Sequence, residues 1–158
     1  FMEGDTGILG VTVNEETEID LFIEQFLIPS FLKTIQTGFD VLSSNGYSSE
    51  VSLLELYTSG EIVGLLDEGL KVGLYSAFQE NTSPTCQFGV AESFDKVIDD
   101  DIKIIAENIL KDIKEGVFVK RLDDEASEGY PKLKKFNRQN LANKLSISQK
   151  NLSKIIDS

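Results

Sequence analysis

The sequence predicts an all-α domain, and three observations favour this fold class. Only three prolines occur in 158 residues, so few positions interrupt a helix. Apolar residues recur at helical spacing through long stretches, and no run alternates apolar and polar residues as a half-buried strand does. The length fits one domain, and 41% hydrophobic with 27% charged residues is typical of a globular protein.

The N-terminal part predicts a lead-in segment followed by a long helix. Residues 1–14 are expected to be an irregular lead-in, and residues 15–158 the helical domain. The first helix is expected from about Glu16 to Ser43, since acidic residues in its first turn suit the helix dipole. Pro29 lies inside this helix and should kink it about one turn earlier.

Turn and capping signals divide the rest of the chain. A second helix is expected over about residues 49–67, with Ser48 or Ser49 as its N-cap, and a short helix to Phe78 after an interruption at residues 68–69. Residues 80–95 are polar and predict a loop. Further helices are expected over 99–115 and 117–128, then a break at 129–131, a basic segment over 132–143, and a last helix opened by the capping box Ser146-x-x-Gln149.

The charge balance restricts the chemistry and the partners. The chain has 15 basic and 27 acidic residues, a formal charge of −12, and no histidine. This negative charge argues against binding to nucleic acid or to anionic membrane surfaces, because both kinds of binding require cationic side chains. Without histidine, acid–base or metal chemistry must use carboxylates, and oxygen ligands select Mg²⁺, Mn²⁺ or Ca²⁺. The acidic start does not resemble a signal peptide, so we expect a soluble, cytoplasmic protein.

Three carboxylates fall on apolar helix faces. On a helical projection Asp20 and Glu24 share the stripe that continues through Phe31, and Glu55 is embedded in a second apolar stripe. A buried, unpartnered carboxylate is costly, and Lys33 is the only basic residue between positions 1 and 70. A divalent cation is the simplest partner, although a solvated helix edge explains the same pattern, since most acidic residues are exposed.

Two other features favour ordinary interpretations. Cys86 is the only cysteine, and no neighbour in the sequence would activate it, so we interpret it as a loop thiol outside any disulfide. The basic run from Lys132 to Lys135 with Arg138 is interpreted as a solvated face or as an internal salt partner of the acidic body.

Several motifs resemble one family. Residues 15–25, EETEIDLFIEQ, are very similar to the E-E-T-E-T-D-L-F-G-E-Q signature of ketol-acid reductoisomerases. Residues 38–47, 75–82 and 109–125 resemble further segments of that family in the same order. The similarity extends over about residues 7–156 and concerns the C-terminal domain of the short-chain class.

The resemblance implies an all-helical, knotted domain that intertwines with a second copy in a homodimer. In the family an N-terminal Rossmann domain binds NADPH, and no G-x-G-x-x-G turn is present here. Two Mg²⁺ ions hold an acetohydroxy acid during alkyl migration, and NADPH then reduces the product in branched-chain amino-acid biosynthesis. By resemblance, Asp20 bridges the metals, Glu24 binds one of them, and Glu55 comes from the other subunit.

The sequence departs from the family at this site. Ser59 stands where the family has a second acid, four residues after Glu55, and Ile23 replaces a glycine. Phe78 or Glu80 stands where the family has a substrate-contacting serine. We therefore expect either the metal-binding and dimerisation half of a reductoisomerase, inactive by itself because it has no NADPH domain, or a degenerate paralogue that acts as a dimeric interaction or regulatory protein. A plain acidic helical protein without a site is the third possibility.

Overall fold

The computed structural model describes residues 12–97 and 101–156. Helices dominate both ranges and neither contains a strand, which confirms the predicted all-α class. The α-helices are α1 (Val13–Phe22), α2 (Ile28–Ser44), α3 (Ser49–Leu53), α4 (Glu61–Val72), α5 (Leu74–Asn81), α6 (Pro84–Val97), α7 (Asp101–Lys114), α8 (Val117–Ser127), α9 (Pro131–Leu141) and α10 (Lys144–Ile156). A first π-helical turn (Ile23–Leu27) joins α1 to α2, and a second (Leu54–Thr58) extends α3.

One long helix runs from Val13 to Ser44 through the first π turn. Thr12 caps it, because its hydroxyl oxygen accepts a hydrogen bond from the Glu15 N–H at 3.2 Å, so the helix begins three residues before the predicted position. A proline inside a helix donates no backbone hydrogen bond and crowds the preceding turn. The disturbance expected before Pro29 takes the form of the π turn, where the Ile28 N–H donates to the Ile23 carbonyl.

Two predicted boundaries in the middle of the chain were wrong. The expected helix over 49–67 ends instead at Ser59 and Gly60, because Gly60 has a left-handed φ of 85°, and α4 continues through residues 68–69 to Val72. The expected loop over 80–95 contains α6 from Pro84 onwards. Proline suits a first helical turn, so Pro84 starts a helix here. Most of the predicted lead-in, residues 1–11, lies outside the described residues.

Glycine and asparagine signals account for the last helices. Gly116 has a φ of 70° and separates α7 from α8, as the sequence predicts. Tyr130, at a φ of 62°, precedes Pro131 at the start of α9. The predicted capping box at Ser146 was wrong, since α10 begins at Lys144 and the Asn143 Oδ1 accepts from the Ser146 N–H at 2.8 Å.

The buried core is small and joins α2, α3 and α10. Phe39, Leu53 and Leu152 form it, and Leu56, Tyr57 and Leu145 pack around them. The Lys144 Nζ lies 5.9 Å from the centre of the Phe39 ring. At the other end of the long helix, α7 packs against α1 and the first π turn, and α8 packs against α7.

No helix in the described ranges is both long enough and apolar enough to cross a bilayer.

Candidate metal and substrate site

Each π turn carries one of the predicted carboxylates. Glu24 is the second residue of the first π turn, and Glu55 is the second residue of the other. The Ser59 N–H donates to the Leu54 carbonyl at 3.0 Å and so closes the second π turn with an i, i+5 bond. Single π turns are rare in helices and are frequent at functional sites. Two of them at these two acids therefore favour a functional role for both.

Asp20 lies one helical turn before Glu24, and both side chains are exposed. The predicted stripe is present but it is not buried within this chain, since Leu27 is 57% and Phe31 46% exposed. Of the two interpretations that the sequence left open, the exposure of this stripe fits a solvated helix edge within the described part of one chain. No apolar surface within residues 12–97 and 101–156 covers the stripe, and both carboxylates are exposed there.

Glu55 does not join the other two acids. Across residues 12–97 and 101–156, no three acidic or cysteine side chains come close enough together to hold a metal ion. The donors at these positions are carboxylate oxygens, a type that suits Mg²⁺. Asp20 and Glu24 lie one turn apart on the long helix, and Glu55 lies in the second π turn. The described part of one chain therefore places two of the three predicted acids near each other and the third elsewhere.

An apolar groove of about 1,070 Å³ begins beside Glu24. Residues 24–36 of the long helix line one side of it. The other side is lined by α7, α9 and the start of α10, through the side chains of Ile102, Ile105, Ile109, Phe136, Asn140, Leu145 and Ser146. The groove was not predicted from the sequence, because residues 24–36 form one wall and residues between 102 and 146 form the other.

Two polar contacts hold the walls of the groove together. The Tyr57 Oη donates to the Gln149 Oε1 at 2.6 Å, which joins the second π turn to α10. The Asn143 Nδ2 donates to the Gln36 Oε1 at 2.9 Å, which joins the α9–α10 turn to α2. Burial raises the pKa of the Tyr57 phenol above its ordinary value, because it disfavours the charged phenolate. Sequence reasoning missed Tyr57, whose only signal was its position two residues after Glu55.

The residues that depart from the family pattern lie near the second π turn and on α5. Ser59 directly follows the second π turn and is exposed. Phe78 is half-buried on α5, and Glu80 is exposed near the end of the same helix. Ile23, at the start of the first π turn, is 39% exposed. Ser59 therefore offers a hydroxyl where the family pattern has a carboxylate.

Cys86 is an exposed, free thiol on α6, where the sequence predicted a loop.

Comparison with known proteins gives a consistent result. The family pattern of the ketol-acid reductoisomerase C-terminal domain matches residues 13–157. The NADP(+) ketol-acid reductoisomerase of Mycolicibacterium gilvum is 36% identical over 148 residues, which are 92% of this chain and 43% of that protein. The enzyme of Nocardia farcinica is 35% identical over 144 residues, 90% of this chain and 42% of its own length.

A solved structure supports the same fold. The chain superposes on the NADH-preferring ketol-acid reductoisomerase of an uncultured archaeon with a TM-score of 0.85 and 26% identity, covering 94% of this chain and 44% of that one. The chain thus spans less than half the length of the relatives it matches.

The fold and the groove define an all-helical domain with the Glu24 carboxylate beside an open apolar groove. The chain belongs to the ketol-acid reductoisomerase family and corresponds to its C-terminal domain.

Proposed function

We propose that this chain is the metal-binding and dimer-forming half of a cytoplasmic enzyme that isomerises and reduces acetohydroxy acids. The observation that carries the proposal is the position of Asp20 and Glu24, one helical turn apart, with Glu24 in a π turn and beside the groove. The relatives' names give the reaction and the nicotinamide cofactor. A segment that supplies NADPH binding would have to come from outside these 158 residues.

In this proposal the metal site is shared between two copies. Asp20 and Glu24 supply oxygen ligands from one chain, and Glu55 supplies a third from the partner subunit. This arrangement accounts for the separation of Glu55 from the other two acids within one chain. When bound, Mg²⁺ would act as a Lewis acid on the substrate oxygens. The apolar residues beside Glu24 would exclude water and contact the alkyl groups of the substrate.

Calorimetric titration of the folded dimer with MgCl₂ tests the proposal. We expect binding to the unmodified chain and its loss in Asp20→Asn and in Glu24→Gln, because each variant removes a charged ligand without changing the size of the side chain. Glu15→Gln is the matched control, since Glu15 is exposed on the same helix one turn before Ile19. A dimer that releases or absorbs no heat with Mg²⁺ or Mn²⁺ would contradict the metal assignment.

Ser59 favours a second candidate function. A hydroxyl is a weaker Mg²⁺ ligand than a carboxylate, so a paralogue that keeps the fold and the dimer but has lost turnover is the alternative. A fusion of this chain to the NADPH-binding domain of a relative distinguishes the enzyme from the inactive paralogue. Acetolactate-dependent NADPH oxidation by the joined protein supports the enzyme, and a folded, dimeric but inactive protein supports the paralogue.

A further inference from the structure

The second π turn, Leu54–Thr58, is held between two other helices. On the α2 side, the Leu56 side chain lies so close to Gly38 that a Cβ at position 38 would meet the Leu56 Cδ2 at 3.0 Å. On the α10 side, the Tyr57 hydroxyl donates to the Gln149 Oε1 at 2.6 Å. The turn therefore contacts both the long helix and the C-terminal helix.

The contacts of this turn surround Glu55 in the sequence but do not cover it. Leu53, two residues earlier, is completely buried in the core, and Leu56 and Tyr57 are half-buried around that core. The Glu55 side chain is exposed. Because residues on both sides of Glu55 are packed, they determine where the backbone that carries its carboxylate lies.

Two hydrogen bonds of i, i+5 spacing close the turn. The Ser59 N–H donates to the Leu54 carbonyl at 3.0 Å, and the Thr58 hydroxyl donates to the Leu53 carbonyl at 3.1 Å. Single π turns are rare inside helices. Contacts outside the turn must therefore favour it over the ordinary α-helical arrangement.

The Tyr57 contact favours the π turn through the register of the helix. A π turn holds one residue more than an α-helical turn, and one residue is about 100° of rotation around an α-helix. If the turn relaxed to an α-helix, the residues before and after it would rotate relative to each other by this amount. Leu53 would then leave the core or Tyr57 would leave Gln149.

A hydrogen bond defines this register more strictly than apolar packing does. Leu56 and Leu145 pack around the same core without a polar partner. The Tyr57 hydroxyl adds a bond that is satisfied only within a narrow range of distance and angle. Its loss would leave the ring in place but would no longer specify the direction of the turn.

We propose that Tyr57 is a positioning residue for the metal site, which acts by holding the second π turn against Gln149 and so directs the Glu55 carboxylate. The inference rests on the proposed function, in which Glu55 supplies a metal ligand. It assigns to the C-terminal helix a role in metal affinity, although Gln149 itself binds no metal in this proposal.

Calorimetric titration of the folded dimer with MgCl₂ tests the positioning role. We expect Tyr57→Phe to weaken Mg²⁺ binding about tenfold, a usual cost of removing a group that orients a metal ligand. Leu152→Val is the control, because it removes a core contact of the same helix but no bond to the turn, and it should leave the affinity unchanged. An equal loss in both variants, or no loss in Tyr57→Phe, overturns the inference.

Substitution of the acceptor tests the same bond from the other helix, including the case in which Tyr57→Phe does not fold. Gln149→Leu removes the acceptor and should weaken Mg²⁺ binding as Tyr57→Phe does. Gln149→Glu keeps an acceptor oxygen on a side chain of equal length and should retain most of the affinity. Equal weakening by the two substitutions contradicts the hydrogen bond as the cause.

Hydrogen exchange measures the turn without metal. The Ser59 amide should exchange about fivefold faster in Tyr57→Phe, the change expected for loss of one hydrogen bond. The Lys120 amide, which donates to the Gly116 carbonyl on α8, should not change. Unchanged exchange at Ser59 refutes the effect on the turn.

The two measurements separate this inference from the proposed function. If the unmodified dimer binds no Mg²⁺, the metal site fails and the positioning role fails with it. If the dimer binds Mg²⁺ with an affinity that Tyr57→Phe does not alter, only the positioning role is refuted.

Discussion

The Tyr57 hydroxyl donates a 2.6 Å hydrogen bond to the Gln149 amide oxygen, across 92 positions of the sequence. This contact fixes the second π turn, which carries Glu55, against the C-terminal helix. It lies beside the Phe39–Leu53–Leu152 core, where Tyr57 is one of the surrounding side chains. The position of a candidate ligand therefore depends on a contact that links the middle of the chain to its end.

Removal of this hydroxyl should destabilise the fold modestly. Tyr57→Phe keeps the ring and leaves the Gln149 oxygen without this donor, so we expect a loss of about 1 kcal/mol in the free energy of unfolding. Urea unfolding followed by circular dichroism at fixed protein concentration measures the change. Tyr75→Phe is the control, because Tyr75 is exposed on α5. Equal effects of the two substitutions would contradict a stabilising role for the Tyr57 hydrogen bond.

The same phenol should make stability depend on alkaline pH. Burial raises the pKa of Tyr57 above its ordinary value of 10.0. A raised pKa means that the folded state holds the proton more tightly than the unfolded state, so the contribution is complete below about pH 10 and is lost as pH rises through the folded-state pKa. Urea midpoints between pH 8 and 11 should fall more steeply for the unmodified chain than for Tyr57→Phe. Parallel curves for the two proteins would rule out this linkage.

Phe39 should be the most sensitive position of the core. It is completely buried between α2, α3 and α10, and truncation to alanine removes its contacts and leaves a cavity. We expect Phe39→Ala to cost about 3–5 kcal/mol, a large fraction of the roughly 5–15 kcal/mol by which domains are ordinarily stable. Thermal unfolding compares it with Phe88→Ala, which changes a 70% exposed ring on α6. If Phe88→Ala proves the more damaging, the main stabilising contacts lie at α6 instead.

A carboxylate at position 59 should strengthen metal binding. Ser59 follows the second π turn four residues after Glu55 and is exposed, so a longer acidic side chain can be accommodated there. We expect Ser59→Glu to raise the affinity for Mg²⁺ severalfold in calorimetry, because an added anionic oxygen ligand favours a hard cation. Ser153→Glu, an exposed change on α10, controls for general charge effects. A gain in Ser153→Glu equal to that in Ser59→Glu would mean that bulk electrostatic attraction is being measured.

Local signals predicted much of the secondary structure because they act within one turn. Ser48 caps α3 as expected, accepting from the Val51 N–H at 3.4 Å, and Gly116 ends α7. Local signals also explain the wrong prediction of a helix end at residues 68–69. Both Gly60 and Gly69 could end a helix, and of these two only Gly60 has a left-handed φ. A glycine permits a helix end without requiring one, since Gly69 stays helical within α4 and the helix ends at Gly73, which has a φ of 93°.

For the candidate acids, the sequence predicted the helix face but not whether that face is buried. Periodicity alone placed Asp20, Glu24 and Glu55 on apolar faces, and Glu24 does border an apolar groove. Periodicity could not show whether that face is buried inside the chain or is open, because burial depends on segments far away in the sequence. The π turns were not predicted either, because the i, i+5 hydrogen bonds that define them are a matter of backbone geometry and not of residue type.

The sequence by itself determined the helical class, most helix ends, the exclusion of histidine chemistry and the resemblance to the reductoisomerase C-terminal domain. These depend on local backbone preferences, on composition and on ordered motifs, all of which are present in the linear chain. Only the tertiary structure decided that Glu55 lies apart from Asp20 and Glu24, that Tyr57 bonds Gln149, and that an apolar groove begins beside Glu24. The physical reason is that burial and pairing are properties of surfaces formed by distant segments.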